Sequence, residues 1–465
     1  MKRNWVKGLL CGAAMIAATG LPSASAWADT LFGAMEKAYA TNPSLNAARA
    51  GQRAVDEQVP QALSGWRPTV TVQGEVKSES LVANQPSLDN PDGDYRQDRN
   101  ESGNMAIVLN QPLFRGFRTV ESTKSAEAQV DASRQNLLET EQQVLFNVVQ
   151  AYMNVYAGRQ LVVLRKQDVK ALEAQVRASN ERFQVGEITR TDVAQAEARL
   201  AESRNALIET QTRLAQDVAF YIQVVGNEPG KLSYPKLAKL PPSLNAALDI
   251  AGQINPRLLA QAFVELATTS AVGVARAGLL PSAQLQAKAL TADTDIGDDN
   301  TGFRSASVAA QVSIPLYEAG LVYSQVREAK QRASQSRIEL IEVARDVRRA
   351  VAESWNTYIG AGQIIVNTKT QVQAAQLALN GVQQEYQAGT RTTLDVLDAQ
   401  RELVQSQVLQ VNAEKVRVVA GYQLLAAIGH LTAQEVGLDV PIYDPEENYL
   451  RVRNKWIGTG VKTVD

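Results

Sequence analysis

The 465-residue chain has little of what most enzymes use: one cysteine, one histidine, and 6% aromatic residues. The cysteine, Cys11, lies in the apolar run Gly8 to Gly20, which follows Lys2, Arg3 and Lys7. That run is too short to cross a bilayer as a helix and has the layout of an export signal. Two A-x-A sites follow, Ala24-Ser25-Ala26 and Ala26-Trp27-Ala28; the second is preferred, so that residues 1–28 are the signal peptide and Asp29 is the mature start. Gly8-Leu9-Leu10 ahead of Cys11 fits a lipoprotein cleavage box poorly. Removing the signal leaves no cysteine. This excludes disulfides, a thiol nucleophile and a thiolate metal site in an exported chain that could have used them.

The single histidine, His430, follows Gly429 at a helix end, where a solvated cap is expected rather than a catalytic base. No glycine-rich phosphate loop follows a strand, and no metal-ligand cluster has suitable spacing. The chain therefore reads as a non-enzyme that needs no cofactor. Taking the three signal charges from 47 basic residues leaves 44 against 49 acidic ones, and 44 − 49 = −5. Without a basic patch, nucleic acid is not an expected partner. Only a few of the 16 prolines and 29 glycines interrupt the long helical stretches, which points to an elongated molecule rather than several ordinary domains.

What the sequence does have is an internal duplication. Asn42-Pro43 recurs as Asn255-Pro256 and Pro68 recurs as Pro281, both at 256 − 43 = 213 residues. Pro112 then matches Pro315, Gly186 matches Gly389, Asp192 matches Asp395 and Gly226 matches Gly429, all at 315 − 112 = 203. The ten-residue change falls between Pro68 and Pro112, where one loop differs in length. Each copy reads as short helix, strand, loop, strand, very long helix, turn, long helix. The predicted divisions are a first repeat over 29–226, a linker over 227–242, a second repeat over 243–429 and a C-terminal segment over 430–465.

Val148, Val155, Val162, Val169, Val176 and Phe183 recur every seven residues, and adding 203 gives Val351, Tyr358, Ile365, Val372, Leu379 and Tyr386. A strict heptad row implies left-handed, coiled-coil-like packing. The helix from about Phe117 to Phe183 would be on the order of 100 Å long at 1.5 Å per residue. Its Gln, Glu, Arg and Lys content keeps it out of lipid, which suits a spacer or conduit.

The strands alternate instead. Val70, Val72, Gly74 and Val76 interleave with Thr71, Gln73, Glu75 and Lys77; Ala283, Leu285, Ala287 and Ala289 interleave with Gln284, Gln286 and Lys288. Met105, Ile107, Leu109 and Ala306, Val308, Ala310, Val312, Ile314 continue the pattern. Period two fits either a half-buried soluble sheet or a membrane barrel with water inside. Long polar loops and the aromatics Trp66, Phe114 and Tyr317 at strand ends favour the barrel. Four strands cannot close one, because the smallest have about eight and open edges are not tolerated in lipid. A membrane location would therefore require two or more copies.

The stretch QAGTRTTLDVLDAQ, residues 387–400, turns at Gly389 and places Asp395 and Asp398 on one helix face. Thr392-x-x-Asp395 and Thr189-x-x-Asp192 both fit an N-terminal capping signature. Asp398 corresponds to Gln195 and Arg391 to Ile188, so acid pair and arginine belong to one hairpin alone.

Together the turns RFQVGEITRTDV and EYQAGTRTTLDVLDAQ, the junctions LNQPLF and SIPLYEAG, and the repeated Asn-Pro resemble the TolC-like outer-membrane channels of Gram-negative bacteria, over nearly the whole mature chain. The resemblance implies a mainly α homotrimer: a 12-stranded β-barrel in the outer membrane continued by a 12-helix coiled-coil α-barrel reaching into the periplasm. It implies that Asp395 and Asp398 line the entrance constriction, where divalent cations could block. It implies a closed-state latch of Thr191, Asp192, Tyr386 and Arg391, with Gly186, Gly389 and Thr390 at tips facing a periplasmic adaptor. The other implied partners are outer-membrane lipid and an inner-membrane ABC or proton-driven exporter, with secreted proteins or small toxic molecules as cargo. The competing reading is a periplasmic coiled-coil adaptor or scaffold, which would normally carry one hairpin between β-rich segments rather than two.

Overall fold

The computed structural model describes residues 30–85, 89, 94–236, 239–296 and 299–461. The export signal and its cleavage sites lie outside the described residues, as do parts of the polar loops.

The first half runs through α1 (Leu31–Thr41), α2 (Pro43–Asp56), α3 (Gln58–Leu63), β1 (Thr69–Gln85), β2 (Asp94–Arg115), α4 (Arg118–Gln184) and α5 (Arg190–Val225). The second runs through α6 (Leu244–Ile254), α7 (Pro256–Arg276), β3 (Ser282–Ile296), β4 (Asp299–Ser313), α8 (Leu321–Gln387) and α9 (Thr393–Ile428). Two short helices close the described chain, α10 (Ala433–Val436) and α11 (Pro445–Arg453). Both α4 and α8 have 67 residues, and both α5 and α9 have 36. The predicted long helix is displaced by one residue at each end.

The repeated Asn-Pro has a local cause. Proline is well placed in a helix's first turn, where its missing N–H would be unpaired anyway. Asn42 Oδ1 accepts from Ser44 N (3.0 Å) and Leu45 N, while its Nδ2 donates to Val224 O at 3.0 Å. Asn255 Oδ1 accepts from Leu258 N (3.1 Å), and its Nδ2 donates to Ala427 O at 2.8 Å. Each asparagine thus starts one helix and ties it to the last turn of another. Gly429, at φ 94°, ends α9 so close to this break that a Cβ would lie 2.9 Å from Ile254 O.

At the strand-to-helix junctions two successive residues take left-handed backbone: Gly116 and Phe117 (φ 59° and 65°) in one copy, Ala319 and Gly320 (φ 49° and 80°) in the other. Only one of each pair is glycine, so each junction holds a strained side chain. Phe117 is held edge-on against Phe114, with centroids 5.2 Å apart.

The sheet is antiparallel throughout, in the order β1-β2-β3-β4, with a register shift between Pro112 and Phe114. Its register aligns Val72, Ile107, Ala289 and Ala306 in one row and Val70, Leu109, Ala287 and Val308 in another. Thr71, Val108, Lys288 and Ser307 form the row between them, on the opposite face. One face is therefore apolar across four strands and the other largely polar. Val70, Val72 and Val308 on the apolar face are 62%, 66% and 71% exposed.

Below the sheet the helices form one layer. α4 packs against α2 and α5 of its own half and against α7 and α9 of the other, whereas α8 packs mainly against α6, α7 and α9 of its own half. The main core lies midway along the long helices, where Val148, Tyr152, Val155, Val351, Tyr422 and Ile428 are buried. Toward the far end the heptad row becomes partly exposed, and Phe183 is 42% exposed. The linker crosses this region: Tyr152 Oη donates to Ser233 O (2.7 Å) and Tyr422 Oη to Lys236 O (3.2 Å). Residues 244–279 are apolar enough to span a membrane by composition, but they break at Asn255-Pro256 and lie against α4 and α8.

Candidate functional site

The α4–α5 and α8–α9 hairpins end side by side, with Leu172 and Leu200 of one packed against Leu397 of the other. Their turns are built alike. Gly186 and Gly389 adopt φ 78° and 80°, which a side chain would strain. Glu187 N donates to Arg182 O and Thr390 N to Glu385 O, both at 2.9 Å, closing the last helical carbonyls. Thr189 and Thr392 then cap α5 and α9. In both, the N3 backbone N–H donates to the threonine Oγ1 at 3.3 Å, and the aspartate Oδ2 accepts from threonine N (2.9 Å) and Oγ1 (2.8 Å).

Asp192 and Asp395 are thus occupied as reciprocal caps. The Thr392 backbone N–H, then its hydroxyl, hold the Asp395 carboxyl below the usual carboxylate range, and Arg391 adds to this. Crowding with like charge would act in the opposite sense. Within one chain, capping decides it.

Asp398 is placed differently. Its Oδ1 lies 3.4 Å from Arg199 Nη2 on α5 and 3.3 Å from Arg401 Nη2 on its own helix. It therefore bridges the two hairpins and has a guanidinium from each beside it. Deeper along the same seam, Asp168 is 7% exposed and accepts from Ser203 Oγ (2.7 Å) and Gln400 Nε2 (3.2 Å), joining α4, α5 and α9. Asp168, Arg199, Leu397 and Arg401 line a cavity of about 150 Å³.

The candidate latch residues divide between the tips. Tyr386 Oη lies 3.2 Å from Thr393 Oγ1, and the Arg182 guanidinium sits 4.5 Å over the Tyr386 ring, from the other hairpin. Arg391 Nε donates to Glu385 Oε2 at 2.8 Å, a bond that raises the guanidinium pKa further. Among the described residues, no hydrogen bond or ion pair within the chain joins Thr191 or Asp192 to Tyr386 or Arg391. Nor is there a group of three or more His, Cys, Asp or Glu able to hold a metal among them. Cation binding at Asp395 and Asp398 would need carboxylates from several chains. His430 Nδ1 lies 3.1 Å from Glu435 Oε2, half-exposed at a helix end.

Sequence reasoning missed Arg182, Arg199, Arg401 and Asp168. The i, i+3 spacing of Asp398 and Arg401 was a readable signal. Arg182 and Arg199 meet their partners across about 200 residues of chain, and no local pattern records that.

The family described as outer membrane efflux protein matches the chain twice, over residues 34–227 and 247–430. The outer membrane efflux protein BepC of Brucella suis biovar 1 is 40% identical over 453 residues, covering 97% of this chain and 96% of that protein. The outer membrane protein TolC of Escherichia coli K12 is 25% identical, over 90% of this chain and 87% of that one. The fold matches the crystal structure of the Campylobacter jejuni CmeC outer membrane channel with a TM-score of 0.75 at 16% identity, over 91% of this chain and 89% of that one. Two tandem matches and a relative aligned almost end to end establish that the chain belongs to the outer membrane efflux protein family.

Proposed function

We propose that three copies of this chain close into one channel, twelve strands forming a barrel in the outer membrane and the helices a tunnel below it. Cargo leaves through this passage, delivered by an inner-membrane transporter and a periplasmic adaptor. One observation carries the reading: both layers of the chain are open at both sides. β1 and β4 each have one unpaired edge. In the helical layer α4 packs against helices of both halves and α8 mainly against those of its own half. Leu138, Tyr156 and Leu161 of α4 are partly covered, whereas their counterparts 203 residues on, Ile341, Ile359 and Ile364 of α8, are 51%, 41% and 53% exposed. A neighbouring copy's α2 and α5 would cover them, while its β1 would pair with β4. Lipid then meets the apolar sheet face, and water the polar one.

In that assembly Asp395 and Asp398 form the entrance constriction, six carboxylates that favour cations and repel anions. Asp395 supplies the firmly ionised ring, and Asp398 is tempered by Arg199 and Arg401. Tyr386 and Arg391 latch against Thr191 and Asp192 of a neighbouring hairpin, and the exposed tips at Gly186, Gly389 and Thr390 receive the adaptor. Efflux of small molecules and export of proteins by a type I system both use such a passage. The test is planar-bilayer conductance of detergent-extracted protein. Wild type should give cation-selective steps blocked by divalent cations, and Asp395→Ala with Asp398→Ala should weaken the block. Unchanged block defeats the ring; a detergent-independent monomer without conductance defeats the channel.

A further inference from the structure

We propose that the C-terminal tail, residues 454–461, is an interfacial anchor lying in the headgroup region of the outer membrane's inner leaflet, beside the foot of the strands. This rests on the barrel reading above and adds a second, non-barrel contact with lipid.

The tail's position is fixed by a ladder of contacts that climbs toward the sheet. Tyr443 N donates to Tyr39 Oη at 3.1 Å. Asn448 Nδ2 donates at 2.7 Å to Asp56 Oδ2, whose other oxygen accepts from Gln52 Nε2 at 2.9 Å. All three of these side chains belong to buried residues, with Asp56 0% exposed. Arg453 Nη2 then reaches Glu127 Oε1 (3.0 Å), and Arg67 Nη1 donates to Lys455 O (2.8 Å). The partners on the first repeat advance from α1 through α2 to Arg67, two residues before β1 begins. The tail is thus delivered to the junction between helices and sheet.

What it presents there is apolar. Trp456 lies over the Arg67 guanidinium at 4.9 Å yet remains 65% exposed; Ile457 is 91% and Val461 73% exposed. Lys455 Nζ bonds Gly460 O at 3.0 Å, which folds the segment back on itself and keeps its backbone compact. Trp66 and Leu280, each just ahead of a strand, add exposed apolar surface at the same level (39% and 40%). Tryptophan beside arginine and lysine, next to a nearly bare isoleucine, is the composition of a membrane–water interface. Lipid is the occupant the position selects, because Val70, the second residue of β1, already opens the apolar sheet face that lipid covers.

The test places Trp456 as sole tryptophan in the mature trimer, with Trp66→Phe and Trp355→Phe, in vesicles of phosphatidylcholine brominated near the headgroup end of its acyl chains. A companion has Trp456→Phe as well and carries Val72→Trp on the sheet face. Gel filtration confirms that both remain assembled. Trp456 emission should be blue-shifted and lose most of its intensity relative to unbrominated vesicles, and Ile457→Ser should reduce that loss. Quenching at Val72→Trp without quenching at Trp456 overturns the anchor alone: red emission then puts the tail in water, and blue unquenched emission puts it against a neighbouring copy. No quenching at either position overturns the barrel reading with it.

Discussion

Replacing Asn255 by alanine removes two interactions with one side chain, and their sum can be worked from the structure. Its Oδ1 caps α7 at Leu258 N, and losing such a cap costs about 1 kcal/mol. Its Nδ2 satisfies Ala427 O at 2.8 Å, and leaving this part-buried carbonyl unpaired costs about 1–2 kcal/mol more. The asparagine is 6% exposed, so water does not readily replace either bond. The total is about 2–3 kcal/mol, which corresponds to a roughly 30- to 150-fold change in an opening equilibrium. The assay is amide hydrogen exchange at Leu258, Leu259 and Ala260 in the reconstituted protein, where local opening is read directly. Asn255→Ser keeps a capping oxygen but cannot reach Ala427, so it should recover about fivefold of the lost protection. Asn42→Ala should act alike on α2 through Val224. Protection unchanged in Asn255→Ala, or serine no better than alanine, would refute the double role.

Gly429→Ala should destabilise the protein more than Gly389→Ala: both need left-handed backbone, but only at Gly429 does the added Cβ meet a carbonyl at 2.9 Å, and paired thermal melts would show equal losses if that contact yields. Asp395 is held ionised by Thr392, so its share of the tip's stability is present above the ordinary aspartate value of 3.8 and lost as pH falls through the lower folded value. Thr392→Val should shift that loss to higher pH in a carboxylate infrared titration, and an unmoved titration would remove the cap from the account. Arg199→Gln should strengthen divalent-cation block by unmasking Asp398, whereas unchanged block in bilayer recordings would mean that Asp398 does not face the passage. Tyr386→Phe with Arg391→Ser should raise conductance by loosening the entrance, and wild-type steps from that variant would exclude the latch.

Much of the fold was legible because it is periodic or repeated. Heptad valines mark the seam of α4, alternating Val70, Val72 and Gly74 mark β1, and the 203-residue offset locates both tips. Thr189 and Thr392 announced their capping boxes through three-residue spacing, a signal local enough to survive in sequence. The pairing of Asp398 with Arg199 was not legible, because it depends on how two hairpins lie against each other. The stacking of Arg182 on Tyr386 was hidden for the same reason, as was the ladder that ties Asn448 to Asp56 across 392 residues. The register shift at Pro112 was hidden too, although a proline that cannot donate to a central strand could have suggested it.

In the proposed assembly one chain supplies a third of a closed wall. Native mass measurement of the detergent-extracted complex tests it most directly. Three 50.4 kDa chains, less their signal peptides, are the predicted mass. A single chain, stable in water without detergent and with its sheet edges and α8 face uncovered, would contradict it.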